Sequence, residues 1–392
     1  GATGTIAFLI FGWINGITGG FGIMLAQSFG AGDEKQLRHY TAMSVYLCTA
    51  MAVLMAGGLL LANGWILKAM NTPDSIFEDT KSYIGIVYAG IPITIAYNML
   101  ASISRSMGDS RTPLIFLVIS SVLNIVLDLV FVAVLPLGVE GAAYATVLAQ
   151  AVSAVACFFY VRKKYEILHL KKEDMKFSWN SAGRLMMMGL PMGLQFSITA
   201  IGTMMVQAAV NLLGATYIAA YSACGKITNI VTQLFPSLGI TLANYVGQNM
   251  GAGKVDRIRK GVRQAQIITI AGGVVCGLAM FFWGGAATKF FADDPTGEIR
   301  QIGDVLFHTT AWCYPFLGSI FIYRNALQGM GDGLVPMLGG VFELVTRAAM
   351  VTLLAGPLGF FGICLCDPGA WLSALIPLVP VYIWRMRKFV RA

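Results

Sequence analysis

Apolar runs of twenty or more residues recur from one end of this chain to the other, and little else about its fold is left free once they are seen. Each run is long enough to cross the ~30 Å of hydrocarbon in a bilayer. A backbone in that medium must satisfy its own polar groups, so the runs are helices; the weak two-residue alternation excludes a barrel. Only 12% of the residues are charged, against about a quarter in a soluble domain. Mean hydropathy is +0.71. The longest polar stretch, roughly 162–184, is too short for a soluble domain. Eleven spans are expected, at about 3–28, 40–66, 83–106, 113–135, 141–161, 185–212, 216–246, 264–288, 303–328, 335–355 and 361–384.

The net charge of +8 invites a nucleic-acid reading, which the placement of the charges answers. Twenty of the 27 Lys and Arg fall in alternate loops and the C-terminal tail: 29–39, 104–112, 162–184, 254–263 and 385–391. The intervening loops are acidic, with Asp74, Glu78 and Asp79 in one and Asp293, Asp294 and Glu298 in another. The positive-inside rule then puts the basic loops and the C-terminus in the cytoplasm of a cell whose plasma membrane the chain spans many times. No nucleic-acid partner is implied. The seven cysteines form no CxxC pair and read as small packing residues. His39, His169 and His308 have no ligand-like spacing, and no nucleophile triad, P-loop or HExxH pattern occurs, so neither an enzyme nor a bound cofactor is expected.

The chain also repeats itself. Residues 26–32, Ala-Gln-Ser-Phe-Gly-Ala-Gly, match 247–253, Gly-Gln-Asn-Met-Gly-Ala-Gly, at an offset of 221. Met107-Gly108-Asp109 with Pro113 matches Met330-Gly331-Asp332 with Pro336, at 223. Leu137-Gly138 and Gly141 match Leu358-Gly359 and Gly362, again at 221. Glycine of this kind ends a helix and lets the chain turn, and Pro113 and Pro336 open the helices that follow. The second copy has six helices and the first shows five, so a first helix is expected to precede residue 1. Lobes are expected at 1–165 and 185–392, joined by a cytoplasmic linker at 166–184. Six helices per copy give both lobes one orientation, with a cavity between them.

These blocks, with Arg105-Ser106 before Met107, Gln328-Gly329 before Met330, and Asn124-Ile125-Val126-Leu127-Asp128, resemble the MATE (multidrug and toxic compound extrusion) transporters, specifically a DinF-like bacterial branch. The resemblance covers the whole chain. It implies an all-α polytopic fold of two homologous six-helix lobes, here with eleven of the twelve helices. It further implies secondary active efflux of drugs and small organic, often cationic, compounds in exchange for H⁺ or Na⁺, by a protein expected to work as a monomer.

A charge inside the bilayer is expensive, which makes each one a functional candidate. Asp128 sits in Leu-Asp-Leu-Val-Phe with no base within helical reach, and Asn124 is one turn earlier on the same face. Thr146, entering the next helix from the same side, reaches a similar depth. Carboxylate, amide and hydroxyl together suit Na⁺, or a proton on a carboxyl raised by burial; the alternative is a hydrogen-bonded structural Asp. The family resemblance points to the same pair and Thr, and adds Asn98. It also implies an Asp on the helix expected before residue 1.

In the second copy Glu343 and Arg347 are i, i+4, and Arg324 on the preceding helix lies at the depth of Glu343, so the three should pair as a structural or gate-closing network, the alternative being direct substrate contact. Another branch of the family has carboxylates at positions matching Thr199 and Asn325, both neutral here, which argues against a second cation site. Gln195, one turn before Thr199, joins the cavity candidates. Lys226 either lines the cavity or snorkels to the outer interface. The rivals to an antiporter are a flippase for a lipid-linked precursor, which needs a strongly cationic cavity, and a non-transporting receptor or assembly protein.

Overall fold

The computed structural model describes residues 2–70, 72–135 and 137–391, with side chains from residue 7 to 389 apart from those gaps. Residue 1, where the first copy's alignment begins, and the side chain of Arg391 in the basic tail lie outside the described residues. The chain divides into two compact units, residues 1–193 and 194–392.

The first unit holds α1 (Ala2–Gly30), α2 (Glu34–Ala69), α3 (Asp74–Ala89), α4 (Ile91–Ser106), α5 (Arg111–Asp128), α6 (Gly138–Lys164) and the opening turns of α7 (Trp179–Asn211). Helices α3 and α4 meet at Gly90 with a bend of 41° and are together long and apolar enough for one crossing. There Pro92 opens α4 without needing a backbone donor. The core lies where α1, α2, α3 and α4 meet, around Phe21, Leu25, Leu37, Met43, Tyr88 and Ile95. α5 instead turns Leu114, Ile115, Val118, Val122 and Ile125 outward, a lipid-facing belt in a bilayer.

The unit boundary falls inside α7, beyond the linker expected at 166–184, and the reason is close backbone packing. Gly16 and Gly20 of α1 face Gly193 and Gly189 of α7; a Cβ on Gly20 would lie 2.5 Å from the Gly189 Cα, and one on Gly16 2.6 Å from the Gly193 Cα. Two small-xxx-small faces in register let helices approach this way inside a membrane. The first half of α7 is thereby fastened to α1.

The second unit holds the rest of α7, then α8 (Ala215–Thr232), α9 (Leu234–Gly251), α10 (Val255–Ala287), α11 (Glu298–Thr310), α12 (Tyr314–Gly329), α13 (Leu334–Cys364) and α14 (Cys366–Arg391). Its main core gathers Phe235, Phe307, Tyr314, Trp371 and Leu378. Among the described residues nine helical stretches are long and apolar enough to span, ten with the bent α3–α4 pair. The span expected over 216–246 is two helices, α8 and α9, meeting at Gln233. Thr228, Asn229, Thr232 and Gln233 make that stretch polar where it breaks.

The sequence repeat is physical. Gly32 and Gly253 take φ of 70° and 67°, Gly108 and Gly331 86° and 87°, and Gly138 and Gly359 60° and 56°. Each pair is a left-handed turn that a side chain would strain. The aspartates that follow two of these glycines do the same work twice. Asp109 Oδ1 accepts from the Thr112 backbone N–H at 3.0 Å, and Asp332 Oδ1 from those of Leu334 and Val335 at 3.1 Å, capping α5 and α13. Each also receives a base from the last helix of its copy: Lys164 donates to Asp109 at 2.5 Å, Arg385 to Asp332 at 2.6 Å. Those two bases are themselves 221 positions apart.

Candidate functional site

The intramembrane polar residues gather into one cluster per unit. In the first, Asn124 and Asp128 occupy successive turns of α5, and both are half-buried. Asn124 donates to the Thr146 hydroxyl on α6 at 3.4 Å, and Thr146 donates to the Ala142 carbonyl at 3.0 Å. Asn98 is held differently: its amide donates at 2.8 Å to the carbonyl of Thr94 on its own helix. Thr94 in turn donates to Gln150, one turn beyond Thr146 on α6, at 2.7 Å. A polar ladder therefore joins α4 to α6 through Thr94 and Gln150, and α5 to α6 through Asn124 and Thr146. Sequence reasoning passed over Thr94 and Gln150. Their signal was one-turn spacing from Asn98 and Thr146.

Asp128 stands apart within this ladder. Its Oδ1 is buried and accepts no hydrogen bond. A buried acceptor without a donor is costly to leave unsatisfied. Directly after Asp128 the helix loosens into a π segment, Leu129–Val134, whose register shows in the Leu135 N–H donating to the Val130 carbonyl at 2.8 Å. Such segments recur at functional positions because they re-aim side chains and repack readily. The donor set of one carboxylate, one amide carbonyl and one hydroxyl consists of hard oxygens, which fit Na⁺ as well as a proton.

The second cluster is an alternating chain of charges. Arg324 on α12 donates to Glu343 Oε1 on α13 at 2.5 Å, and Arg347 donates to Glu343 Oε2 at 3.3 Å. Arg347 also donates through Nε to Asp367 Oδ1 on α14 at 2.9 Å. The pairing expected from spacing and depth is present, and Asp367 completes it. Arg324, Arg347 and Glu343 are at most 6% exposed, so each charge is compensated without water. Two bases and two carboxylates leave the chain neutral. Room for it comes from Gly202 on α7, whose added Cβ would press within 3.2 Å of Arg347 Cδ.

Arg347 and Asp367 border a cavity of about 350 Å³ with Tyr221, Thr228, Asn229 and Tyr314. The other second-unit candidates lie around this core in different ways. Gln328 donates to Gln195 at 3.2 Å, Thr199 to the Gln195 carbonyl at 3.0 Å, and Asn325 to the Phe321 carbonyl at 2.8 Å. Lys226 is exposed, its ammonium 5.7 Å from the ring centre of Phe291 in the segment after α10. Asp367 carried a sequence signal that went unused: a carboxylate in the apolar run Cys-Leu-Cys-Asp-Pro.

A duplicated bundle of membrane-crossing helices, with buried charges clustered inside each copy, is the build of a membrane transporter rather than an enzyme. The MatE family model matches residues 1–130 and 191–367, and the chain belongs to that family, the MATE transporters. Among its relatives, the probable multidrug resistance protein YpnP of Bacillus subtilis (strain 168) is 27% identical over 360 residues, covering 92% of this chain and 80% of the relative. The probable multidrug resistance protein NorM of Thermotoga maritima is 25% identical over 366 residues, with 91% and 76% covered. A solved multidrug resistance MATE transporter in its outward-facing conformation superimposes with a TM-score of 0.92 at 20% identity, covering all of this chain and 88% of that one, which shows the shared fold.

Proposed function

We propose that this protein is a secondary active antiporter that exports organic, often cationic, drugs in exchange for inward H⁺ or Na⁺, with Asp128 as the coupling carboxylate. The observation that carries the reading is the buried Oδ1 of Asp128, which accepts no hydrogen bond, one turn from Asn124. An empty acceptor at this depth is destabilised, and a proton or Na⁺ relieves it. Asn124 and Thr146 supply the neighbouring oxygens, and Asn98 extends the ladder from α4. Loading removes the net charge of the site and favours a tighter packing of α5 on α6, for which the π segment after Asp128 supplies the slack. A cation that binds one packing better than the other shifts the protein between substrate-accepting and substrate-releasing states. The drug substrate is supported by the names of the relatives, multidrug resistance and export proteins.

The second cluster is proposed as a structural and gating element. Its neutrality disfavours a flippase, because a pyrophosphate headgroup needs uncompensated positive charge and both arginines are already paired. In cells lacking their own efflux pumps, Asp128→Asn should abolish resistance and dye extrusion while the protein still reaches the membrane. Undiminished resistance in that variant would remove Asp128 from the mechanism.

A further inference from the structure

The segment between α6 and α7 is more than a tether. It carries Lys171, Lys172 and Lys176, all exposed, together with Met175 and Phe177, and runs into Trp179 at the start of α7; these three are 45%, 48% and 84% exposed. Large apolar side chains this open are unfavourable in water. A mobile loop would bury them by collapse, but this segment is pinned. The Asp174 carboxylate accepts from Arg38 Nε at 3.0 Å and from the Lys171 backbone N–H at 3.0 Å. His39 Nδ1 lies 3.0 Å from the Asp174 carbonyl, which only accepts, so that nitrogen carries the proton; Nε2 then accepts from Ser181 at 3.0 Å.

The anchor points fix its depth. Met175 offers its carbonyl to the Tyr46 hydroxyl at 3.1 Å, and the Ser178 N–H meets Met43 Sδ at 3.4 Å. Tyr46 lies eight residues beyond Arg38 on α2, about 12 Å along the helix axis. It is already past the polar start of α2 and inside its apolar run, which begins at Tyr40. The segment thus lies along the entry of a membrane-crossing helix. Phe177 sits between Tyr46 and Trp179, tilted to the first and edge-on to the second, with ring centres 6.1 and 5.0 Å apart. Aromatic rings at that level with lysines beside them match the boundary between acyl chains and headgroups.

We propose that this segment is a docking platform for anionic phospholipid of the inner leaflet, with Met175, Phe177 and Trp179 set among the upper acyl carbons and Lys171, Lys172 and Lys176 on the phosphates. Charge complementarity selects the occupant: three exposed ammonium groups against one exposed carboxylate, Glu173, beside an apolar surface, with the buried Asp174 already taken by Arg38. The proposal rests on the basic loops facing the cytoplasm and is independent of Asp128 coupling. It implies that lipid charge sets how firmly the connection between the two sequence copies is held.

The test uses the protein in nanodiscs of mixed phosphatidylglycerol and phosphatidylcholine, with only one of the two lipids brominated on its acyl chains. Subtracting the fluorescence of Trp179→Phe isolates the Trp179 signal. Brominated phosphatidylglycerol should quench that signal at least about twofold more than brominated phosphatidylcholine, and replacing Lys171, Lys172 and Lys176 with Gln should equalise the two. Equal quenching in the wild type would overturn the proposal, as contact without selection. So would a Trp179 unquenched by either lipid yet fully open to aqueous iodide, which would leave the surface to a soluble partner.

Discussion

Glu343→Gln should strip the buried charge network of the carboxylate that joins its two arginines. Glu343 is 4% exposed and, among the described residues, is the only carboxylate bonded to Arg324, while Arg347 also holds Asp367. The amide leaves two buried guanidinium groups facing one carboxylate. Removing one partner of a buried ion pair costs about 3–5 kcal/mol, because the remaining charge stays desolvated. For a unit of about 200 residues each kcal/mol moves Tm by roughly 2–4 °C, so a fall of roughly 6–20 °C is expected. Thermal melting in detergent, followed by size-exclusion chromatography of the surviving protein, reads it directly. The companion Arg324→Met with Glu343→Leu removes one base and one acid and keeps the Arg347–Asp367 pair. Replacing a buried pair with apolar residues of similar size is near neutral, so this double variant should recover most of the loss. A Glu343→Gln protein melting within about 2 °C of wild type would refute the account of the network, since even 1 kcal/mol should move Tm that far.

Two further outcomes follow from the packing and the loops. Gly20→Ala should destabilise the first unit by about 1–3 kcal/mol, because its Cβ meets the Gly189 backbone, whereas the Cβ of Gly57→Ala on α2 meets nothing within 4 Å and that variant should lose no stability in the same melting assay. Asp109 pairs burial, which alone would raise its pKa, with hydrogen bonds from Lys164, Thr112 and Tyr165, which outweigh it and hold the carboxyl well below the usual range. A depressed folded-state pKa gives stability that is present above the unfolded value near 4 and is lost as pH falls through the folded one. The difference in Tm between wild type and Asp109→Asn should therefore be full at neutral pH and shrink progressively below about pH 4.

What the sequence revealed and what it hid divide along physical lines. Met-Gly-Asp with its proline was legible because a left-handed glycine, a capping carboxylate and a helix-opening proline are local necessities. That Lys164 and Arg385 would close on those carboxylates was not, since each lies more than fifty residues away. Glu343 and Arg347 announced themselves through one-turn spacing, and Arg324 through a depth count along straight helices. Asp367 escaped because it lies twenty residues from Arg347, across the turn from α13 into α14, where no one-turn spacing points to the pair. Asn98 was placed with Asn124 by resemblance, yet it donates to its own helix. The π segment after Asp128 left no mark at all, because Leu-Val-Phe-Val-Ala-Val suits an α-helix equally well. The polar break between α8 and α9 was visible in composition and was read through as one continuous span.

The claim on which the rest turns is that Asp128 couples an inward cation to outward substrate movement. Its most direct test is dye flux in proteoliposomes under an imposed H⁺ or Na⁺ gradient, comparing wild type with Asp128→Asn. The account predicts gradient-driven dye movement in the wild type and only gradient-independent leak in the variant, at equal amounts of reconstituted protein. Equal gradient-driven flux through both would contradict it.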